Sequence, residues 1–165
     1  MRVLGIDPGL SHMGYGVVER VDGRLKAVAL GVITTSPGLP PAIRLAQLRR
    51  EVVDVIVSYN PDVFAIERLF FNANVRTAIS VGQASGVALA SAAEGGLEVF
   101  DYTPPEVKQS VVGTAAATKK QVQAMVAALL KLNEIPQYPD AADAGALAIC
   151  HLNRAGLRRA VSAAR

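Results

Sequence analysis

The chain has 165 residues, enough for one domain that buries most of the surface its unfolded form would expose. Hydrophobic residues make up 51% of it, yet no run of about 18 is free of polar interruption, and Arg2 leads directly into a strand-like segment. A membrane span and a leader are therefore not expected, and the composition predicts an unprocessed cytoplasmic protein. The single cysteine, Cys150, excludes an internal disulfide and reads as a small buried apolar residue. The two histidines, His12 and His151, have no serine or cysteine arrangement suited to a nucleophilic triad. Net charge is +3, and the acids singled out below count against it, so the rest of the surface is more strongly positive and suits a polyanionic partner. Arg154, Arg158, Arg159 and Arg165 make the C-terminus basic, which is also the ordinary character of a solvated tail.

In chain order, strands are predicted over 2–7, 14–20 and 24–34. The second and third are joined by Asp22-Gly23, residues that tolerate the positive φ angles of a two-residue hairpin turn. After Pro40 and Pro41, Ile43, Leu45, Leu48, Val52, Val55 and Ile56 recur at helical spacing up to Tyr59, and Asn60-Pro61 ends the helix. A strand over 62–67, a helix over 74–94 and a strand over 97–101 follow. Thr103 precedes Glu106 by three residues, and Thr118 precedes Gln121 by three; each pair is a capping-box signature. The last helix starts near Asp140. Three meandering strands followed by alternating helices and strands predict an α/β fold: a mixed five-stranded sheet, antiparallel in its first three strands and then parallel, flanked by helices. Residues 1–158 read as one domain and 159–165 as a basic tail.

Asp7 closes the apolar segment Val3-Leu4-Gly5-Ile6, and Glu67 closes Val63-Phe64-Ala65-Ile66. A right-handed crossover would set these strands side by side, about 4.8 Å apart, with both acids at the carboxyl edge where ligands gather in such sheets. Asp140 and Asp143, three apart, share one face of the last helix. Plainer readings exist: Asp7 before Pro8-Gly9 as a turn former, Glu67 as a solvated strand end, Asp140 as a helix cap completed by Asp143. Four converging carboxylates would repel and raise their own pKa values unless a divalent cation with a preference for hard oxygen relieves them, which points to magnesium or manganese rather than zinc. Gly9, Gly14 and Gly16 suit either phosphate approach or hairpin geometry. Gly82, Gly86 and Ala90 form a small-residue stripe suited to close helix packing, within the monomer or between two copies.

Gly5-Ile6-Asp7-Pro8-Gly9, Ala65-Ile66-Glu67 followed by Phe70, Val107-Lys108-Gln109 with Val111-Val112-Gly113, and the run from Asp140 through Asp143 to Ile149 together resemble the RuvC family of Holliday-junction resolvases. The resemblance implies a ribonuclease-H-like fold with Asp7, Glu67, Asp140 and Asp143 as metal-binding catalytic acids. It implies two Mg²⁺ ions per site, with Mn²⁺ as a substitute, and a homodimer that nicks four-way junction DNA symmetrically in recombination and repair, beside the RuvA and RuvB branch-migration proteins. Phe70, Lys108 and Lys119 match the family's DNA-contacting positions. In two places the pattern departs or varies: Arg68 stands where glutamine is frequent, and the Asp140 position is histidine in some members. Other readings of the same residues are a phosphotransferase of the actin and sugar-kinase type, a nuclease acting on RNA or RNA–DNA hybrids, and a junction-binding module that does not cut.

Overall fold

Val3, Leu4 and Ile6 are fully buried, so the first strand is covered on both faces and lies at the centre of a sheet rather than at its edge. The computed structural model of the chain describes residues 1–68 and 75–163, with side chains placed at 1–68 and 77–156. Within these, β1 (Arg2–Asp7), β2 (His12–Val21) and β3 (Arg24–Thr34) form an antiparallel meander. Helix α1 (Pro41–Tyr59) returns the chain to β4 (Val63–Glu67), parallel to β1, and α2 (Val75–Glu94) leads to β5 (Glu98–Tyr102), parallel to β4. Three helices follow: α3 (Pro104–Val112), α4 (Lys119–Leu129) and α5 (Pro139–Ala163). The strand order β3-β2-β1-β4-β5 is the mixed five-stranded sheet expected from the sequence. None of the described helices is long and apolar enough to cross a membrane.

Local chemistry explains most boundaries. Asp22 and Gly23 hold φ angles of 49° and 77°, the left-handed pair that lets Val21 face Arg24 across a two-residue turn. Asn60 ends α1 in the left-handed conformation, its N–H returning to the Ile56 carbonyl. Both capping boxes form as read: the Thr103 hydroxyl accepts from the Glu106 N–H and the Thr118 hydroxyl from the Gln121 N–H, and each N3 side chain bonds the backbone N–H of its cap residue. The final helix begins at Pro139, so Asp140 is its second residue rather than its cap, and its backbone continues to Ala163 through most of the expected basic tail.

Alternation along the strands divides the core in two. Val3, Val63 and Ala65 join the cluster under α3, α4 and α5, while Leu4, Ile6, Phe64 and Ile66 join the one under α1 and α2. One expectation about α1 fails: Ile43 is exposed and Arg44 is buried instead. The Arg44 guanidinium has a polar seat in this face, donating to Thr35 Oγ1 (2.9 Å) and Ser11 Oγ (2.6 Å), while the Thr35 hydroxyl donates to the Leu10 carbonyl. This braces the loop that leaves β1 at Asp7.

Candidate metal centre

Parity places the strand acids. Asp7 lies two residues beyond Gly5 and four beyond Val3, and Glu67 two beyond Ala65 and four beyond Val63, so both carboxylates point toward the α5 side. The parallel register pairs Val3 with Val63 and Gly5 with Ala65, which brings Asp7 and Glu67 to the same level of the sheet.

Glycine brings α5 to meet them. Gly5 pairs with Gly16, and Asp7 with Gly14, across β1 and β2. A Cβ on Gly14 would sit 2.0 Å from the Asp140 carbonyl oxygen, one on Gly5 2.0 Å from that of Ala144, and one on Gly16 2.6 Å from the Gly145 nitrogen. These three positions form a trough in which the backbone of α5 rests directly on the sheet. Neither phosphate approach nor the hairpin accounts for Gly14 and Gly16; both make room for a helix some 125 residues further along. Sequence reasoning missed this role, although the pattern Gly14-x-Gly16 beside Gly5, set against an alanine-rich last helix, carries its signal.

Carboxylate oxygens of Asp7, Asp140 and Asp143 consequently lie within 4.8 Å of one another. Three oxygens on one Mg²⁺, each at about 2.1 Å, are on average no more than about 3.6 Å apart, so the trio would draw together by up to about 1 Å to share a common ion. The donor set is all carboxylate oxygen and fits a hard divalent cation. Glu67 stands outside this trio and lines an adjoining cavity of about 270 Å³ with Asp143, Lys108 and Lys119 above an apolar floor that includes Val107, Val122 and Leu147.

Electrostatics agrees with the geometry. Burial pushes the Asp7 carboxyl up to about 7, with further upward pressure from Asp143, Glu67 and Asp140 and an opposing pull from Lys119. Burial also raises Glu67, aided by Asp143, and raises Asp143 despite the Lys119 ammonium beside it. Lys119 Nζ lies 2.5 Å from Asp143 Oδ2.

Supporting contacts hold the helices that carry these groups. Glu106 accepts from the Thr103 N–H and from Arg154 Nη1 of α5 (2.7 Å), and these bonds bring its carboxyl down to about 2. His151 is buried in α5, 2.8 Å from the Tyr102 hydroxyl at the end of β5, and Cys150 is buried beside it. His12 is exposed as the first residue of β2. Next to Glu67, Arg68 makes a two-pronged pair with Asp101 of β5 (2.5 and 3.1 Å), and its N–H bonds the Tyr102 carbonyl, prolonging the β4–β5 pairing. Phe70 lies outside the described residues.

A family model described as crossover junction endodeoxyribonuclease RuvC matches residues 3–151. A curated protein of that description from Pelotomaculum thermopropionicum is 51% identical over 151 residues, covering 92% of each chain. Another from a Roseiflexus species is 48% identical over 99% of this chain and 98% of its own. Among solved structures, Thermus thermophilus RuvC in complex with Holliday junction substrate superposes with a TM-score of 0.87 at 34% identity, covering 95% of this chain and 96% of that one.

Proposed function

Because the chain belongs to the crossover junction endodeoxyribonuclease RuvC family, we propose that it resolves four-way Holliday junctions by paired nicks, with Asp7, Glu67, Asp140 and Asp143 as the acids of a metal-dependent phosphodiester hydrolysis. The observation that carries this reading is the convergence of Asp7, Asp140 and Asp143 beside a cavity walled by Glu67, Lys108 and Lys119. Acids and bases then divide the work. The four carboxylates hold divalent cations, Mg²⁺ with Mn²⁺ as substitute and two per site. When bound, these supply Lewis-acid activation of water and of the leaving 3′-oxygen. Lys108 and Lys119 face the same mouth and hold the backbone phosphates, and Phe70 offers a stacking platform for an unpaired base.

Two symmetrical cuts require two sites related by a two-fold axis. Helix α2 supplies a surface for this: Ala84, Ala88 and Ala92 face the core, while Ile79, Gly86, Leu89 and Ala90 are exposed on its other side. The stripe Gly82, Gly86 and Ala90 therefore serves contact between two copies better than packing within one. The homodimer works in the cytoplasm beside RuvA and RuvB.

The deciding experiment incubates the protein with a four-way junction, linear duplex and an RNA–DNA hybrid, each with and without Mg²⁺. Symmetrical nicks confined to the junction and dependent on the metal, giving 5′-phosphate ends that a ligase rejoins, are the expected outcome. Asp7→Asn should abolish cutting while leaving junction binding intact. Cutting that survives Asp7→Asn, or equal cutting of duplex, would refute the assignment.

A further inference from the structure

Lys119 is the first residue of α4, placed there by the Thr118 capping box, and its ammonium reaches Asp143 Oδ2 at 2.5 Å. Asp143 belongs to the trio whose carboxylates suit a divalent ion. An ion bound to Asp143 Oδ2 at about 2.1 Å would lie within roughly 4.6 Å of the ammonium even on opposite sides of the oxygen, so the two cations repel wherever they sit on it. Lys119 has somewhere else to go. It lines the cavity of about 270 Å³ that Lys108 also lines, and its side chain is more than half exposed.

We propose that Lys119 is a displaceable counter-ion: it neutralises Asp143 until a divalent cation takes that carboxylate, and its ammonium then turns into the cavity beside Lys108 to hold a DNA phosphate. The exchange rests on the reading of these acids as metal ligands. It makes cation binding and DNA binding help one another through a single side chain, because the charge released by one event is spent on the other. It also keeps the acid cluster from being fully uncompensated when divalent ions are scarce.

Calorimetric titration with Mn²⁺ alone, on the full chain without DNA, tests this. Removing the competing cation in Lys119→Met should tighten Mn²⁺ binding about two- to fivefold, the range for a partly exposed ion pair. Lys119→Arg, which keeps the charge, should bind Mn²⁺ as the wild type does. The same exchange has to appear in stability: in chelator Lys119→Met should melt below the wild type, and saturating Mn²⁺ should close most of that gap. Should Lys119→Met bind Mn²⁺ no more tightly while Asp143→Asn loses Mn²⁺, Asp143 serves the cation through its other oxygen and the exchange is wrong, although the metal site stands. Unchanged Mn²⁺ affinity in Asp143→Asn would remove the metal reading itself and the exchange with it.

Discussion

Replacing Asp7 with asparagine should make the protein more stable when divalent ions are chelated. The folded chain holds this carboxyl near pH 7, against an ordinary value of 3.8, because it is buried among other acids. A shift of about three units corresponds to about 4 kcal/mol between the two protonation states. The sign follows from proton counting. Between pH 3.8 and about 7 the folded state binds the proton that the unfolded chain has released, so this group lowers stability progressively as pH rises through that window, and the full cost is present above it. Asparagine cannot ionise and is free of the penalty. The variant should match the wild type near pH 4 and exceed it by about 4 kcal/mol at pH 8, worth roughly 10 °C in melting temperature for a chain of this size. Thermal melts followed by circular dichroism in EDTA at pH 4, 6 and 8 measure the difference. Added Mn²⁺ should raise the wild-type melting temperature most at pH 8 and affect the variant little. A variant no more stable than wild type at pH 8, or a gap that does not change with pH, would show that Asp7 is not the strained acid described here.

Other expectations concern the frame. Gly14→Ala puts a methyl group 2.0 Å from the Asp140 carbonyl, so α5 must lift; a loss of about 1–3 kcal/mol and of Mn²⁺ binding is expected in denaturant and calorimetric titrations. Arg44→Met removes bonds to Thr35 and Ser11 and should cost about 1–3 kcal/mol, read as a lower urea midpoint with an unchanged slope; a change below about 0.5 kcal/mol would mean the brace is idle. Leu89→Glu, on the exposed side of α2, should shift light-scattering mass toward monomer without changing Mn²⁺ affinity. A dimer that survives it would place the two-fold contact elsewhere.

What was legible in the sequence was whatever neighbouring residues encode. The hairpin at Asp22-Gly23, both capping boxes and the stop at Asn60 are decided within four residues, and all form. The strand acids were legible too, since period-two alternation assigns Asp7 and Glu67 a face once Val3 and Val63 are assigned theirs. Hidden from that reading were contacts set by residues far apart in the chain. Glycine at position 14 has no local reason to be there, and its reason is a carbonyl at 140. Arg44 took the inward position where Ile43 was expected because Ser11 and Thr35, on other elements, offer its guanidinium a polar seat in an apolar face. By its local pattern Lys119 is an ordinary surface lysine; the family resemblance marks it for DNA, and its pairing with Asp143 emerges only when α4 and α5 are docked.

The same docking explains how acids that repel are kept together. Between residues 141 and 152 helix α5 is buried on most of its circumference, and Leu147, Ile149 and Leu152 are each at most 2% exposed. At about 1.5–3 kcal/mol for each large side chain removed from water, these three alone outweigh the roughly 4 kcal/mol that an ionised Asp7 costs. Neither separation of the strands nor lifting of the helix offers the carboxylates a cheaper arrangement, because both would open the core. The repulsion therefore stays in the folded state as a local excess of negative charge aimed at one place, available to any cation that fits. Gly5, Gly14 and Gly16 keep the helix down: a side chain at any of them would hold α5 away from the sheet, opening the core and spreading the acids, so that stability and the site are lost together.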